Sequence, residues 1–147
     1  MAMKQVRVLV AEDNEDHRFL TMRALREVEG ATIDVDGVRN GEEAMAYVMR
    51  QGEYADKRLP HVIFLDLRMP KMTGLEVLER IKGDPELSCI PVVVLTSSDR
   101  AEDIDAAYRL GSNSYVTKPG LSQDLRVGLR HVADYWTVGS ALPECGP

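Results

Sequence analysis

Acidic, hydroxyl and basic side chains stand directly after several short apolar runs of this sequence. The candidates are Glu12, Asp13, Asp66, Thr96 and Lys118. Three carboxylates in one cleft would repel one another and take up a proton unless positive charge balances them. A divalent cation and the lysine ammonium together supply that charge. Because hard carboxylate oxygens favour Mg²⁺, the pattern predicts a magnesium site suited to phosphoryl transfer, where catalysis is mostly positioning and charge neutralisation.

Five apolar runs alternate with segments of helical periodicity. The runs are Val6–Ala11, Thr32–Val38, Val62–Leu65, Val92–Leu95 and Ser114–Val116. They are rich in β-branched residues, and strands that are apolar nearly throughout indicate a parallel sheet covered on both faces. The repeated alternation predicts an α/β fold with right-handed crossovers. The carboxyl ends of its strands would share one edge, where such sheets bind ligands.

The helical segments begin with recognisable capping residues. The predicted caps are Asn14, Asn40 with Glu43, Thr73 with Glu76, and Asp99 with Glu102. Gly111 is expected to end the fourth helix in a left-handed turn. The last helix is predicted from about Ser122 to Tyr135, with an inner apolar stripe formed by Leu125, Leu129, Val132 and Trp136.

The acidic groups at the predicted sheet edge suggest distinct roles. Asp66 would be the nucleophile, because a carboxylate can accept a phosphoryl group as an acyl phosphate. Asp13 would bind the metal, and Glu12 would bind it directly or through a water molecule. The backbone carbonyl of Arg68 would complete the coordination. The Arg68 side chain could reach the phosphoryl group or lie solvated at the surface, and the second arrangement is the one we expect.

Two further groups would contact the transferred phosphoryl group. Thr96 would donate its hydroxyl to one phosphoryl oxygen, and Lys118 would pair with another. A cis peptide bond before Pro119 would aim Lys118 inward. Each feature alone is ordinary, because strand-end carboxylates often cap helices and a Lys-Pro pair is common in loops. Their joint occurrence, in chain order, at four ends of one sheet edge favours a functional site.

Composition limits the classes of function. The 147 residues fit one domain, and the formal net charge of -6 works against binding nucleic acid phosphates. Only two cysteines occur, Cys89 and Cys145, and this sparse use suits a reducing cytosol better than a disulfide framework. No segment reaches the roughly 20 apolar residues of a membrane span. We expect a cytoplasmic protein that binds neither nucleic acid nor membrane.

Four motifs resemble those of the receiver domains of two-component response regulators. They are VLVAEDN around Glu12 and Asp13, FLDLRMPKMTGLE around Asp66, VVVLTSSD around Thr96, and SYVTKP around Lys118. The resemblance covers roughly Val6 to Tyr135. It implies a flavodoxin-like fold with strand order 2-1-3-4-5, a receiver domain over residues 1–136 and a tail over 137–147. It also implies phosphorylation of Asp66 by a partner histidine kinase with Mg²⁺.

The resemblance further implies a switch formed by Thr96 and Tyr115. In the family, the aromatic side chain moves inward after phosphorylation and changes the surface of the fourth helix, fifth strand and fifth helix. Tyr115 could instead be only a half-buried strand residue. The last residues are too few for an output domain. The signal would therefore leave through a partner surface, through dimerisation, or by phosphoryl transfer to a histidine phosphotransfer protein.

The segment RQGEYADKRLPHVIFLDLRMP and the YW pair after the last helix are similar to regulators that pair with phytochrome-type light-sensing kinases. Those relatives often form homodimers through the fourth-helix to fifth-helix face or through the tail. The loop Gln51–Leu59 exceeds the usual 4–6 residue connection, which hints at a use.

Competing functions fit less well. A haloacid-dehalogenase-like phosphatase would need an acid two positions after Asp66, where Arg68 stands, so we do not expect a turnover enzyme. Glycine-rich nucleotide-binding motifs are absent after the first apolar run. A degenerate receiver that only binds partners conflicts with the intact acceptor positions. The histidines lack ligand spacing and are expected to be ordinary surface or helix residues: His17, His61 and His131.

Overall fold

The structure is a computed structural model that describes residues 3–120 and 122–146. Five parallel strands form one sheet in the order β2-β1-β3-β4-β5. Their bounds are β1 Lys4–Ala11, β2 Ala31–Val38, β3 Val62–Leu65, β4 Val92–Thr96 and β5 Ser114–Thr117. The predicted flavodoxin-like α/β fold and its strand order are confirmed, and each predicted apolar run lies in one of these strands.

Five α-helices connect and cover the strands. Their bounds are α1 Glu15–Arg26, α2 Gly41–Val48, α3 Gly74–Gly83, α4 Ala101–Arg109 and α5 Ser122–Asp134. A 3-10 turn, Gly52–Tyr54, lies in the loop after α2, and a π turn, Tyr135–Gly139, continues α5. The Gln51–Leu59 loop thus contains one ordered turn. In the described residues, no helix is both long enough and apolar enough to cross a bilayer.

Three of the predicted caps are confirmed. Asn14 accepts from the third amide of its helix at 3.0 Å, Asn40 does the same at 2.8 Å, and Thr73 at 3.3 Å. The prediction for Asp99 is wrong. Helix α4 begins one residue later, with Arg100 in the cap position and no capping side chain there, because the β4–α4 loop turns at Ser98, whose hydroxyl oxygen accepts from the Arg100 amide at 3.3 Å.

The apolar residues form one core on each face of the sheet. On β1 they alternate between the two faces: Leu9 packs with the α2–α3–α4 side, and Val8 and Val10 pack with the α1–α5 side. The predicted α5 stripe is confirmed, since Leu125 and Leu129 are buried and Val132 and Trp136 pack against that core. Each fully buried aliphatic side chain contributes about 1.5–3 kcal/mol. The two cores hold the strands rigidly, so the strand ends have fixed positions.

The two cysteines are joined to each other, although their sparse use suits a reducing cytosol better than a disulfide framework. Cys89, in the loop between α3 and β4, is joined by a disulfide bond to Cys145, near the end of the chain. The two residues are 56 positions apart, and they meet because the segment after the π turn folds back over the amino-terminal ends of the strands. Sparse cysteine content does not predict this single bond, because composition says nothing about how a terminal segment folds back.

Candidate phosphoacceptor site

The predicted site residues meet at the carboxyl edge of the sheet. Glu12 and Asp13 directly follow β1, Asp66 directly follows β3, Thr96 is the last residue of β4, and Lys118 directly follows β5. Strand pairing fixes their relative heights. Ala11 pairs with Leu65, and the amide of Asp66 donates to the Ala11 carbonyl at 3.0 Å. The sheet therefore holds these groups without any loop having to order.

The three acidic side chains form a cluster that is suited to a divalent cation. One carboxylate oxygen from each of Glu12, Asp13 and Asp66 lies within 4.8 Å of the others. Glu12 and Asp66 are buried, whereas Asp13 is exposed and opens the cluster to solvent. Carboxylate oxygens are hard ligands, and a cation reached from the Asp13 side could keep several waters. The donor set fits a hard divalent ion.

Lys118 bridges the two buried carboxylates. Its ammonium donates to Glu12 Oε1 in a close ion pair and to Asp66 Oδ2 at 3.4 Å. The predicted cis bond before Pro119 is wrong, because this peptide bond is trans. The backbone nevertheless turns Lys118 into the site, since its amide donates to the Thr96 carbonyl at 2.7 Å and extends the β4–β5 pairing by one residue.

The charges of the buried pair differ in the metal-free site. Burial, together with the nearby Asp66 carboxylate, raises the pKa of Glu12 to about 7 despite the Lys118 ammonium. Burial also acts to raise the pKa of Asp66. It is outweighed by hydrogen bonding from Glu12, the Lys118 charge and the Arg68 amide, so the pKa of Asp66 lies below its ordinary value. At neutral pH, Asp66 is therefore ionised, and Glu12 is the buried carboxyl that takes up a proton more readily.

Arg68 contributes its backbone. Its amide donates to Asp66 Oδ1 at 3.2 Å, and its side chain is exposed, which matches the solvated arrangement. Its carbonyl stays a predicted metal ligand. The loop that carries it is held by Gly74, whose amide donates to the Leu67 carbonyl at 2.9 Å. A methyl group on Gly74 would collide with the Asp66 carbonyl oxygen and with Leu67, so only glycine permits this approach of α3 to Asp66.

Thr96 and Tyr115 are connected through one loop. Thr96 is almost fully buried at the end of β4. Two residues later, the carbonyl of Ser98 accepts from the Tyr115 hydroxyl at 2.8 Å. The Tyr115 amide donates to the hydroxyl of Tyr108 on α4 at 3.1 Å. A displacement of the Thr96 loop would therefore pull directly on the Tyr115 side chain and, through it, on α4.

The histidines are expected to be ordinary surface or helix residues, and His17 and His131 do lie on helices, but His17 also contacts the site and His61 is buried. His17 Nδ1 lies 3.1 Å from Lys118 Nζ and 3.9 Å from Glu12 Oε1. Burial and the Lys118 charge lower its pKa, so the neutral ring can accept a hydrogen bond from the ammonium. The one available signal was its place in the first turn of the helix that follows Glu12 and Asp13. His61 is buried far from the site, and only His131 is exposed.

The geometry agrees with the comparisons to known proteins. Residues 8–130 match the family of the response regulator receiver domain, and the chain belongs to this family. It is 40% identical over 129 residues to the probable methanogenesis regulatory protein FilR2 of Methanothrix harundinacea, covering 88% of this chain and 82% of that protein. It is 38% identical over 138 residues to the response regulator Rcp1 of Synechocystis sp., covering 92% of each.

Solved structures show the same likeness. The phosphorylated cyanobacterial phytochrome response regulator RcpA superposes with a TM-score of 0.90 at 39% identity, over 95% of this chain and 99% of that one. The Mn²⁺-bound form of Rcp1 gives a TM-score of 0.90 at 36% identity, over 94% and 99%. The resemblance to receivers of phytochrome signalling is thereby confirmed.

Proposed function

We propose that this receiver takes a phosphoryl group from a phosphohistidine of a partner histidine kinase onto Asp66, with Mg²⁺ bound in the acidic cluster. The observation that carries the proposal is a buried, ionised Asp66 carboxylate that contacts a buried ammonium and lies beside two further acids. An Asp66 oxygen would attack phosphorus while the P–N bond breaks, and the departing imidazole would take a proton. The product is one acyl phosphate for each chain, so we propose a switch and not a turnover enzyme.

The surrounding groups would neutralise the charge of the acyl phosphate. Lys118 already contacts Asp66 and would pair with a phosphoryl oxygen. Asp13, Glu12, Asp66 and the Arg68 carbonyl would hold Mg²⁺, which supplies positive charge next to the phosphoryl oxygens when it is bound. A Mn²⁺-bound form of the relative Rcp1 supports the binding of a divalent ion.

The output would be a change of the surface formed by α4, β5 and α5. When the Thr96 hydroxyl turns toward the phosphoryl group, the loop through Ser98 moves, and the hydrogen bond between Ser98 and Tyr115 has to rearrange. Because Tyr115 also contacts Tyr108, the new charge at Asp66 would bias a two-state element on the outer surface. Tyr108 is half exposed at 50% and would report this change to a partner.

The partners that we propose follow from the relatives. RcpA is a cyanobacterial phytochrome response regulator, which supports a phytochrome-type histidine kinase in the cytoplasm as the phosphoryl donor. A histidine phosphotransfer protein could take the group onward.

A homodimer would use the α4–β5–α5 face. If so, Tyr108→Arg should lower the mass seen by light scattering, and Phe19→Arg on α1, which replaces an aromatic side chain of similar exposure, should not. Equal masses for wild type and Tyr108→Arg would contradict this dimer.

Intact mass after incubation with acetyl phosphate, with and without Mg²⁺, tests the phosphoacceptor. We expect one added phosphoryl group that depends on Mg²⁺ and is lost in Asp66→Asn. The matched control is Asp99→Asn, which changes an exposed carboxyl outside the cluster and should retain the added group. Persistent phosphate in Asp66→Asn would overturn the assignment. Failure of wild-type protein to bind either phosphate or beryllofluoride would reduce the chain to a binding module.

A further inference from the structure

The segment Ser140–Gly146 lies across the amino-terminal edge of the sheet, opposite the phosphoacceptor site. Near its start, the carbonyl of Ser140 accepts from Lys4 Nζ at 2.6 Å. Leu142 packs against the core on the α1–α5 face, and Cys145 packs against the core on the α2–α3–α4 face. The segment, which we call the C-terminal strap, therefore crosses from one face of the sheet to the other.

Glu144 fixes the strap to Arg7 on β1 and to His61, the residue before β3. Its carboxylate accepts from Arg7 Nη2 at 3.1 Å and lies 2.6 Å from Nε2 of the buried His61. The other ring nitrogen of His61, Nδ1, accepts from the Arg7 amide at 2.8 Å. Nδ1 therefore carries no proton in this arrangement, and Nε2–H is the donor to Glu144. This orientation of a buried imidazole gives the strap a specific docking point.

The docked strap brings Cys145 to Cys89. Their Cα atoms are 6.2 Å apart, which lies within the range that a disulfide spans without backbone movement. Cys89 is exposed, whereas Cys145 is half-buried. A small thiol or disulfide in solution can therefore reach Cys89 more readily, and Cys145 approaches it only when the strap is docked. Because Glu144 directly precedes Cys145, its contacts with Arg7 and His61 position Cys145 next to Cys89.

We propose that Cys89 and Cys145 form a thiol–disulfide exchange site through which low-molecular-weight disulfides of the glutathione class lock the C-terminal strap. The Cys89 thiolate attacks a sulfur of the external disulfide, which gives a mixed disulfide and releases one external thiolate. The Cys145 thiolate then attacks the Cys89 sulfur and expels the second. Two electrons pass from the protein sulfurs to the external disulfide, and the two protein protons end on the released thiols. In a reducing compartment such a bond is transient and responsive.

The test equilibrates the full chain in buffers of oxidised and reduced glutathione, traps free thiols by alkylation, and measures intact mass. We expect the two thiols to disappear together in a monomer as the proportion of oxidised glutathione rises. Cys145→Ser should stop at a mixed disulfide on Cys89. Stable mixed disulfides on both cysteines of the wild-type chain, or a disulfide between two chains, would overturn the proposal.

A strap variant separates docking from chance proximity of the sulfurs. Glu144→Ala leaves both cysteines in place and should lower the equilibrium constant for the intramolecular disulfide about fivefold, which is the effect of losing hydrogen bonds of ordinary net strength. Glu79→Ala, on the exposed side of α3, should leave it unchanged. In urea, where the chains are unfolded, the wild type, Glu144→Ala and Glu79→Ala should have the same equilibrium constant for the disulfide. An unaltered constant for folded Glu144→Ala would show that strap docking does not bring the cysteines together, and would refute the proposal.

Discussion

Cation binding to the acidic cluster should compete with a proton on Glu12. With a pKa of about 7, Glu12 is mostly protonated at pH 6, and a cation that needs its carboxylate must displace that proton. The apparent affinity for Mg²⁺ should therefore fall about tenfold between pH 8 and pH 6, a change of about 1.4 kcal/mol. Asp66, whose pKa is lowered, stays ionised across this range and therefore adds no further pH dependence to the Mg²⁺ affinity.

Isothermal titration calorimetry can measure how many protons are released when Mg²⁺ binds. Titrations of Mg²⁺ at pH 7 in two buffers of different ionisation enthalpy should give a release of about half a proton for each ion bound, rising toward one at pH 6. Glu12→Gln removes the titrating group and should flatten the pH dependence, although binding becomes weaker overall. Glu15→Gln, an exposed change in the first turn of α1, should behave like wild type.

A Mg²⁺ affinity that does not change between pH 6 and pH 8 in the wild-type chain would show that cation binding displaces no proton from Glu12. If Glu12→Gln kept the full pH dependence, the displaced proton would belong to another group. His17 is the nearest alternative. Burial and the Lys118 charge lower its pKa, so its own titration should affect only the acidic end of the range, and His17→Gln should leave the change between pH 7 and pH 8 intact.

Three further predictions concern stability. Because the pKa of Glu12 in the folded chain is raised from 4.5 to about 7, its contribution to the free energy of unfolding is fully present below pH 4.5 and is lost as pH rises through about 7. Urea unfolding without metal should show this free energy fall by about 3 kcal/mol over that range. Glu12→Gln should show no such fall. Gly74→Ala should cost about 1–3 kcal/mol by overpacking and slow phosphorylation, whereas Gly83→Ala, with open space around it, should be tolerated; equal unfolding midpoints would contradict this. Reducing the Cys89–Cys145 bond, which closes a loop of 56 residues, should cost at most about 4 kcal/mol, and an unchanged thermal midpoint would refute any constraint.

The sheet and its functional edge could be predicted because two local signals agree. The β3 run Val62–Leu65 is apolar throughout and buried throughout, and the residue after it is Asp66. Parallel strands must end at one edge, so chain order alone brings Asp66 beside the residues that follow β1 and β5. This prediction depends only on the order of the strands and not on side-chain packing, and it correctly places Lys118 beside Glu12 and Asp66.

The features that the sequence could not predict depend on tertiary packing that leaves no periodic pattern in the sequence. The contact of His17 with Lys118 depends on how α1 packs at the strand ends. The docking of Glu144 on His61 joins positions 83 residues apart, in a segment with neither helical nor strand periodicity. The trans bond before Pro119 could not be predicted because the hydrogen bond from the Lys118 amide to β4, and not the isomer, determines where the side chain points.

The two edges of the sheet differ in what they contribute to stability. At the carboxyl edge, Glu12 and Asp66 are buried close together and one lysine only partly compensates them, so this edge lowers stability until a cation binds or a proton is taken up. At the amino edge, the C-terminal strap adds ion pairs, apolar contacts and a covalent bond. Local stability in proteins is uneven, and moving elements come from the weaker regions. We therefore expect the Thr96 loop, at the less stable carboxyl edge, to rearrange when Asp66 is phosphorylated, while the C-terminal strap holds the strands in register at the amino edge.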